Sequence, residues 1–94
     1  MKIPIKKAEL KANINAFLRT AGYQPHFESY VRPLNSAGYP RFHIYIDDLG
    51  EKYSLNLHLD QKRPSYGQET AHSGDYEGTV VEQEADRITD LLFD

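Results

Sequence analysis

Two alternating stretches constrain this chain more than any other feature. In Arg41–Asp47, Phe42, Ile44 and Ile46 alternate with His43 and Tyr45, and in Tyr53–Leu59, Tyr53, Leu55, Leu57 and Leu59 alternate with Ser54, Asn56 and His58. Successive side chains of a strand point to opposite faces, so an apolar residue at every second position marks a strand with one face buried. The short Asp48-Leu49-Gly50-Glu51-Lys52 connection makes the pair an antiparallel hairpin. With Leu49 and Gly50 as turn residues, Phe42 faces Leu57, Ile44 faces Leu55 and Ile46 faces Tyr53, and every apolar pair falls on one side. A turn of four or five residues keeps the same face. In this register His43 lies opposite Asn56, and His58 opposite Arg41.

The flanking segments supply layers for that greasy face. Leu10, Ile14, Phe17 and Leu18 form the stripe of an amphipathic helix over Ala8–Ala21, which Gly22 terminates and before which Pro4 marks a boundary. Tyr23–Arg32 reads as one further strand, with Phe27, Ser29 and Val31 on one side and His26, Glu28 and Tyr30 on the other. Pro25 suggests an edge position, and Pro33–Pro40 is rich in turn formers. Val81, Ala85, Ile88 and Leu92 predict a second helix over Thr79–Phe93, opened by a Thr79/Glu82 capping box.

The expected fold is therefore α+β: a two-layer sandwich in the order α-β-β-β-α, with a three-stranded antiparallel meander and both helices on one face. At 94 residues and 39% hydrophobic composition, residues 1–94 are expected to form a single domain around one core. Eleven aromatics, seven Tyr and four Phe, are enough to anchor it. The chain contains no cysteine, which excludes disulfides, thiolate metal sites and a cysteine nucleophile. It has no signal-like or membrane-length apolar run, so a cytoplasmic location and no membrane partner are expected. A net charge of −3 argues against nonspecific capture of nucleic acid. The charge is uneven: Lys2, Lys6, Lys7, Lys11 and Arg19 make the first helical region basic, whereas the last segment is acidic.

The order of elements over Ala8–Phe93 resembles that of double-stranded-RNA-binding domains. GYPRFHI, Gly38–Ile44, is similar to that family's Gly-Pro-X-His loop, although here the proline is displaced and the histidine lies within the strand. The family's lysine-rich entry to its last helix is replaced by DYEGTVVEQEAD, Asp75–Asp86, whose carboxylates repel phosphate. The resemblance implies architecture and not RNA binding. LHLDQKRPSY and AHSGDYEG also look like segments of small prokaryotic proteins of no assigned function, which implies no activity here.

Three constellations carry chemical potential. His58, Asp60 and His72, with Asp75 or Glu77 as a fourth ligand, have donors suited to zinc, but the spacing matches no established zinc motif. Polar residues at strand ends more often pin loops, so no cofactor is expected. For acid–base catalysis, His58 and Asp60 pair with His43 only loosely, and no phosphate loop or nucleophile elbow is present. The third constellation is the outer sheet face. Tyr30, Arg41, His43, Tyr45, Asn56 and His58 should gather there opposite the helices, where aromatics and histidines suit stacking or peptide recognition. Tyrosine is also common in strands for packing alone.

Gln61–Gly78 reads as a long loop. Loops beyond about 12–15 residues are uncommon in compact domains and are usually functional or disordered. Pro64, Tyr66 and Tyr76 predict an ordered loop, turning at His72–Asp75 and docked on the domain. Ordering costs on the order of 1–2 kcal/mol per residue, so either the loop covers the sheet or a partner does. Lys62 and Arg63 offer a small anion contact within it. The expected function is a small binding module that engages a protein through the outer face and the 61–78 loop, with Tyr30, Arg41, His43, Tyr45, Asn56, His58, Lys62, Arg63 and Tyr66 as contacts. An RNA-binding module is the alternative, and a metal-dependent hydrolase using His58, Asp60 and His72 the third.

Overall fold

The structure is a computed structural model that describes residues 1–61 and 74–94. In chain order it contains β1 (Lys2–Lys6), a 3-10 turn (Lys7–Glu9), α1 (Ile14–Thr20), β2 (Gln24–His26), β3 (Ser29–Pro33), β4 (Arg41–Asp48), β5 (Lys52–Asp60) and α2 (Gly74–Leu92). The strands make one antiparallel sheet in the order β1-β5-β4-β3-β2. The protein is thus α+β, but the expected α-β-β-β-α meander is replaced by a five-stranded sheet with two strands the periodicity did not separate.

The first of these is β1. Ile3 and Ile5 alternate with Lys2, Pro4 and Lys6, and both isoleucines are buried where β1 pairs with β5. Five residues are too few for a period to stand out, and Pro4 looks like a helix boundary. Here it is an edge-strand proline, a position where its missing N–H costs no ladder bond. β1 covers the edge of β5.

The second division is a hairpin inside Tyr23–Arg32. His26 pairs with Ser29, so Phe27 and Glu28 are the turn residues, and Phe27 has φ +56°. Phe-Glu carries none of the turn chemistry of Gly, Asn or Asp, which is why the segment reads as one strand. The turn also reverses the facing of β3. Tyr30 pairs with Ile44 and Val31 with His43, so Tyr30 lies on the helix side and Val31 on the outer side. The Tyr30 hydroxyl donates to Asn15 Oδ1 of α1 at 3.0 Å, which removes Tyr30 from the expected outer-face set.

The β4–β5 hairpin keeps its predicted face but not its predicted register. Phe42 pairs with Leu59, Ile44 with Leu57, Ile46 with Leu55, and His43 with His58. The cause is the turn: Leu49 N–H donates to the Lys52 carbonyl at 2.9 Å, leaving Gly50 and Glu51 as the central pair, with Gly50 at φ +96°. Glycine at the first central position suits a two-residue hairpin turn because it accepts positive φ without steric cost. Moving the turn one residue along changes the pairing by two, and a shift of two conserves the face.

α1 is shorter than its apolar stripe. Asn13 Oδ1 accepts from Ala16 N–H at 2.8 Å and starts the helix at Ile14, while Leu10 reaches the core from extended backbone. At the other end Gly22, at φ +99°, donates to the Arg19 carbonyl, and Tyr23 N–H donates to the Leu18 carbonyl. This is the double closure of a Schellman cap, reinforced by packing of Tyr23 and Leu18 into one core. α2 begins at Gly74, so Thr79 is internal and the Thr79/Glu82 capping box does not form the boundary. Residues 74–78, expected in the loop, are helical; the remainder of the loop from 62 onward lies outside the described residues.

Leu18 of α1, Ile88 of α2, and Ile44, Leu55 and Leu57 of the sheet are fully buried in one cluster. α2 is also tied by a buried carboxylate: Glu84, 4% exposed, accepts from the Tyr23 hydroxyl at 2.6 Å and from Arg87 Nε and Nη2 at 2.8 and 2.9 Å. Arg32 of β3 approaches it at 3.5 Å, and Arg87 donates to the Ala21 carbonyl at 2.6 Å. Burial and the adjacent carboxylate push the Tyr23 hydroxyl well above its ordinary pKa. This one carboxylate joins α2 to the end of α1 and to β3.

Candidate functional site

The hydrophobic positions of β4 and β5 face the helices, so the residues between them face away. In place of the expected His43–Asn56 and Arg41–His58 pairs, the observed register brings together on the outer face Arg41 beside Asp60, His43 beside His58, and Tyr45 beside Asn56. Tyr45 and His58 are exposed, and the Tyr45 side chain is 46% accessible. Asn56 is held by the Tyr45 carbonyl and by Asp47 Oδ2, to both of which its amide donates. Lys62, Arg63, Tyr66 and His72 lie outside the described residues.

A ring row crosses this face from the β2–β3 turn. His26 and Phe27 have centroids 4.8 Å apart at 75°, His26 and His43 6.4 Å at 72°, His43 and Tyr45 4.6 Å at 35°, and Tyr45 and His58 6.2 Å at 70°. Phe27 is 95% exposed. A large aromatic in a turn, at positive φ and without burial, has neither backbone preference nor packing to explain it. A cavity of about 310 Å³ opens beside it, lined by His26, Phe27, Glu28, Ser29, His43 and Tyr45.

Beneath the rings runs a polar chain. Asp60 Oδ2 lies 3.2 Å from Arg41 Nε and 3.2 Å from His43 Nδ1, while His43 Nε2 lies 2.7 Å from Ser29 Oγ. Ser29 Oγ is also 2.9 Å from the His26 carbonyl, to which its hydroxyl can donate. A carboxylate at Nδ1 places the proton of neutral imidazole on that nitrogen, leaving Nε2 to accept from Ser29. On a protonated ring Nε2 donates instead, and the serine hydrogen turns to the His26 carbonyl. Burial pushes the His43 pKa below its ordinary value; Asp60 opposes this, and Arg41 and His26 add to it. The neutral arrangement therefore holds at pH 7.

Ser, His and Asp in this sequence are also the parts of a nucleophilic relay. Here Ser29 is 5% exposed and its oxygen is held between His43 and a backbone carbonyl. The chain fixes the His43 ring within the row. As for metal binding, His58 and Asp60 do share the outer face, but Asp60 is engaged by Arg41 and His43, and no group of three or more potential ligands occurs among the described residues.

Sequence reasoning missed His26, Phe27, Glu28 and Ser29 as site residues because a hairpin turn, invisible in their composition, carries them to the face. The available signal was His26 itself, placed by alternation on the side opposite Phe27. Comparison of the chain with protein-family models, curated proteins and solved structures finds no match.

Proposed function

We propose that this chain is a protein-binding module whose recognition surface is the outer sheet face, centred on Tyr45, His43 and the Phe27 turn. The observation that carries this reading is Phe27: 95% exposed, at φ +56°, at the head of a continuous ring row. Aromatic residues are enriched at protein interfaces, where a rigid ring supplies contact area at little entropic cost. The edges of the sheet are poor alternatives. β1 is an edge strand with exposed Lys2, Pro4 and Lys6, and β2 is three residues long and contains Pro25, features that discourage strand addition.

RNA receives less support from the same geometry. The rings suit base stacking, but Glu28 lines the cavity, Asp47 lies along the same strand face, and Arg41 is committed to Asp60. A phosphate backbone needs free cations beside the stacking rings. A photo-crosslinking residue installed at Tyr45 tests the choice. Protease-sensitive adducts at position 45 and none at Thr89, an exposed α2 position, support protein binding. Nuclease-sensitive adducts, or equal yields at both positions, overturn it.

A further inference from the structure

We infer that the cavity beside the Phe27 turn receives the cationic end of an arginine or lysine side chain presented by the protein partner, an inference that rests on the protein-binding reading above. Four of the six described residues that line it carry rings, and the other two are Glu28 and Ser29. Among the described residues no lysine or arginine lines it. Ring faces are the negative ends of aromatic quadrupoles, and a cation over them is attracted most where water is partly excluded. The rings of His26 and His43 are steeply inclined to each other, at 72°, so the walls turn their faces in different directions. A single elongated cation, stem against the rings and head toward a carboxylate, matches such walls better than a flat apolar group does.

The charges around the cavity agree. Glu28 is exposed and lies at the rim, whereas the nearby Asp60 is occupied by Arg41 and His43. Glu28 is therefore the carboxylate left to meet an incoming cation. His43 is neutral at pH 7, held so by burial, and adds no repulsion. The exposed Phe27 also acquires a purpose: the turn sets its ring beside the cavity, where its face is open to an incoming cation.

The probe is a blocked Gly-Ser-Arg-Ser-Gly peptide, with the citrulline, norleucine and lysine versions as comparisons, titrated at low salt into the full chain while its His26, His43 and Tyr45 resonances are followed. The arginine and lysine peptides should perturb these resonances and the neutral peptides should not. Phe27→Gly, which suits the turn, and Glu28→Gln should each weaken binding about fivefold or more without loss of fold. Equal shifts with citrulline or norleucine, or no shift with arginine at millimolar concentration, overturn the inference. If protein adducts still form at position 45, the failure lies with the cationic ligand. If adducts are absent as well, the protein-binding reading falls with it.

Discussion

Two polar networks among the described residues differ in what surrounds them. Behind the sheet, Glu84 is enclosed by Tyr23, Arg32 and Arg87, and each partner brings a hydrogen bond or an opposite charge. On the open face, Ser29, His43, Asp60 and Arg41 form a chain of similar length, but the rings above it stand in water. The first network locks three elements together. The second supports a surface that no other element among the described residues covers. A buried charge is tolerated only where it is matched, so the inner network is a structural joint, whereas the outer one holds the His43 ring in position.

The contrast breaks most sharply at Glu84. Glu84→Ala leaves two guanidiniums and a buried phenol without their acceptor, and urea denaturation should show a loss of about 3 kcal/mol, the lower end for a broken buried pair because both arginines reach solvent. Tyr23→Phe removes one charged hydrogen bond while Glu84 keeps Arg87, and should cost about 1.5 kcal/mol in the same assay. On the open face the sign reverses. Phe27→Gly relieves a positive φ and should raise stability by about 1 kcal/mol while reducing partner capture. A gain in stability without loss of capture would separate the turn from recognition.

Smaller again is a pH effect. Because His43 has a folded pKa below its unfolded value near 6.5, the unfolded chain takes the proton first as pH falls. Stability is therefore complete above that range and declines on acidification through about 6.5 toward the lower folded pKa. Melting temperatures between pH 7.5 and 5.5 should slope in the native chain and flatten in His43→Gln. Smallest of all, Tyr45→Ala should change stability by about 0.5 kcal/mol or less, since its ring is half in solvent. A large loss would make Tyr45 structural.

The legibility of the fold follows the length of its patterns. The alternations of Arg41–Asp47 and Tyr53–Leu59 correctly assigned Phe42, Ile44, Leu55 and Leu57 to the core and Tyr45 to the other side. Their register was misread by two positions because the turn depends on where Gly50 sits, which the strands do not encode. Gly22 was legible as a helix end for the same reason that it works as one, its access to positive φ. Asn13 was not, because the stripe from Leu10 to Ile14 runs across it. The central residues of the candidate site were readable from β4 and β5, whereas His26 to Ser29 needed the hairpin to bring them there.

Sequence alone determined the α+β character, the buried faces of the two long strands and the residues that those faces exclude, because periods of two and of three to four residues are local properties of the backbone. Tertiary structure decided the rest: the pairing of β1 with β5, the reversal that sends Tyr30 inward, the burial of Glu84 and the meeting of His26 with His43. Each of these depends on contacts between residues distant in the chain, and no local pattern can specify which distant partner completes a pair.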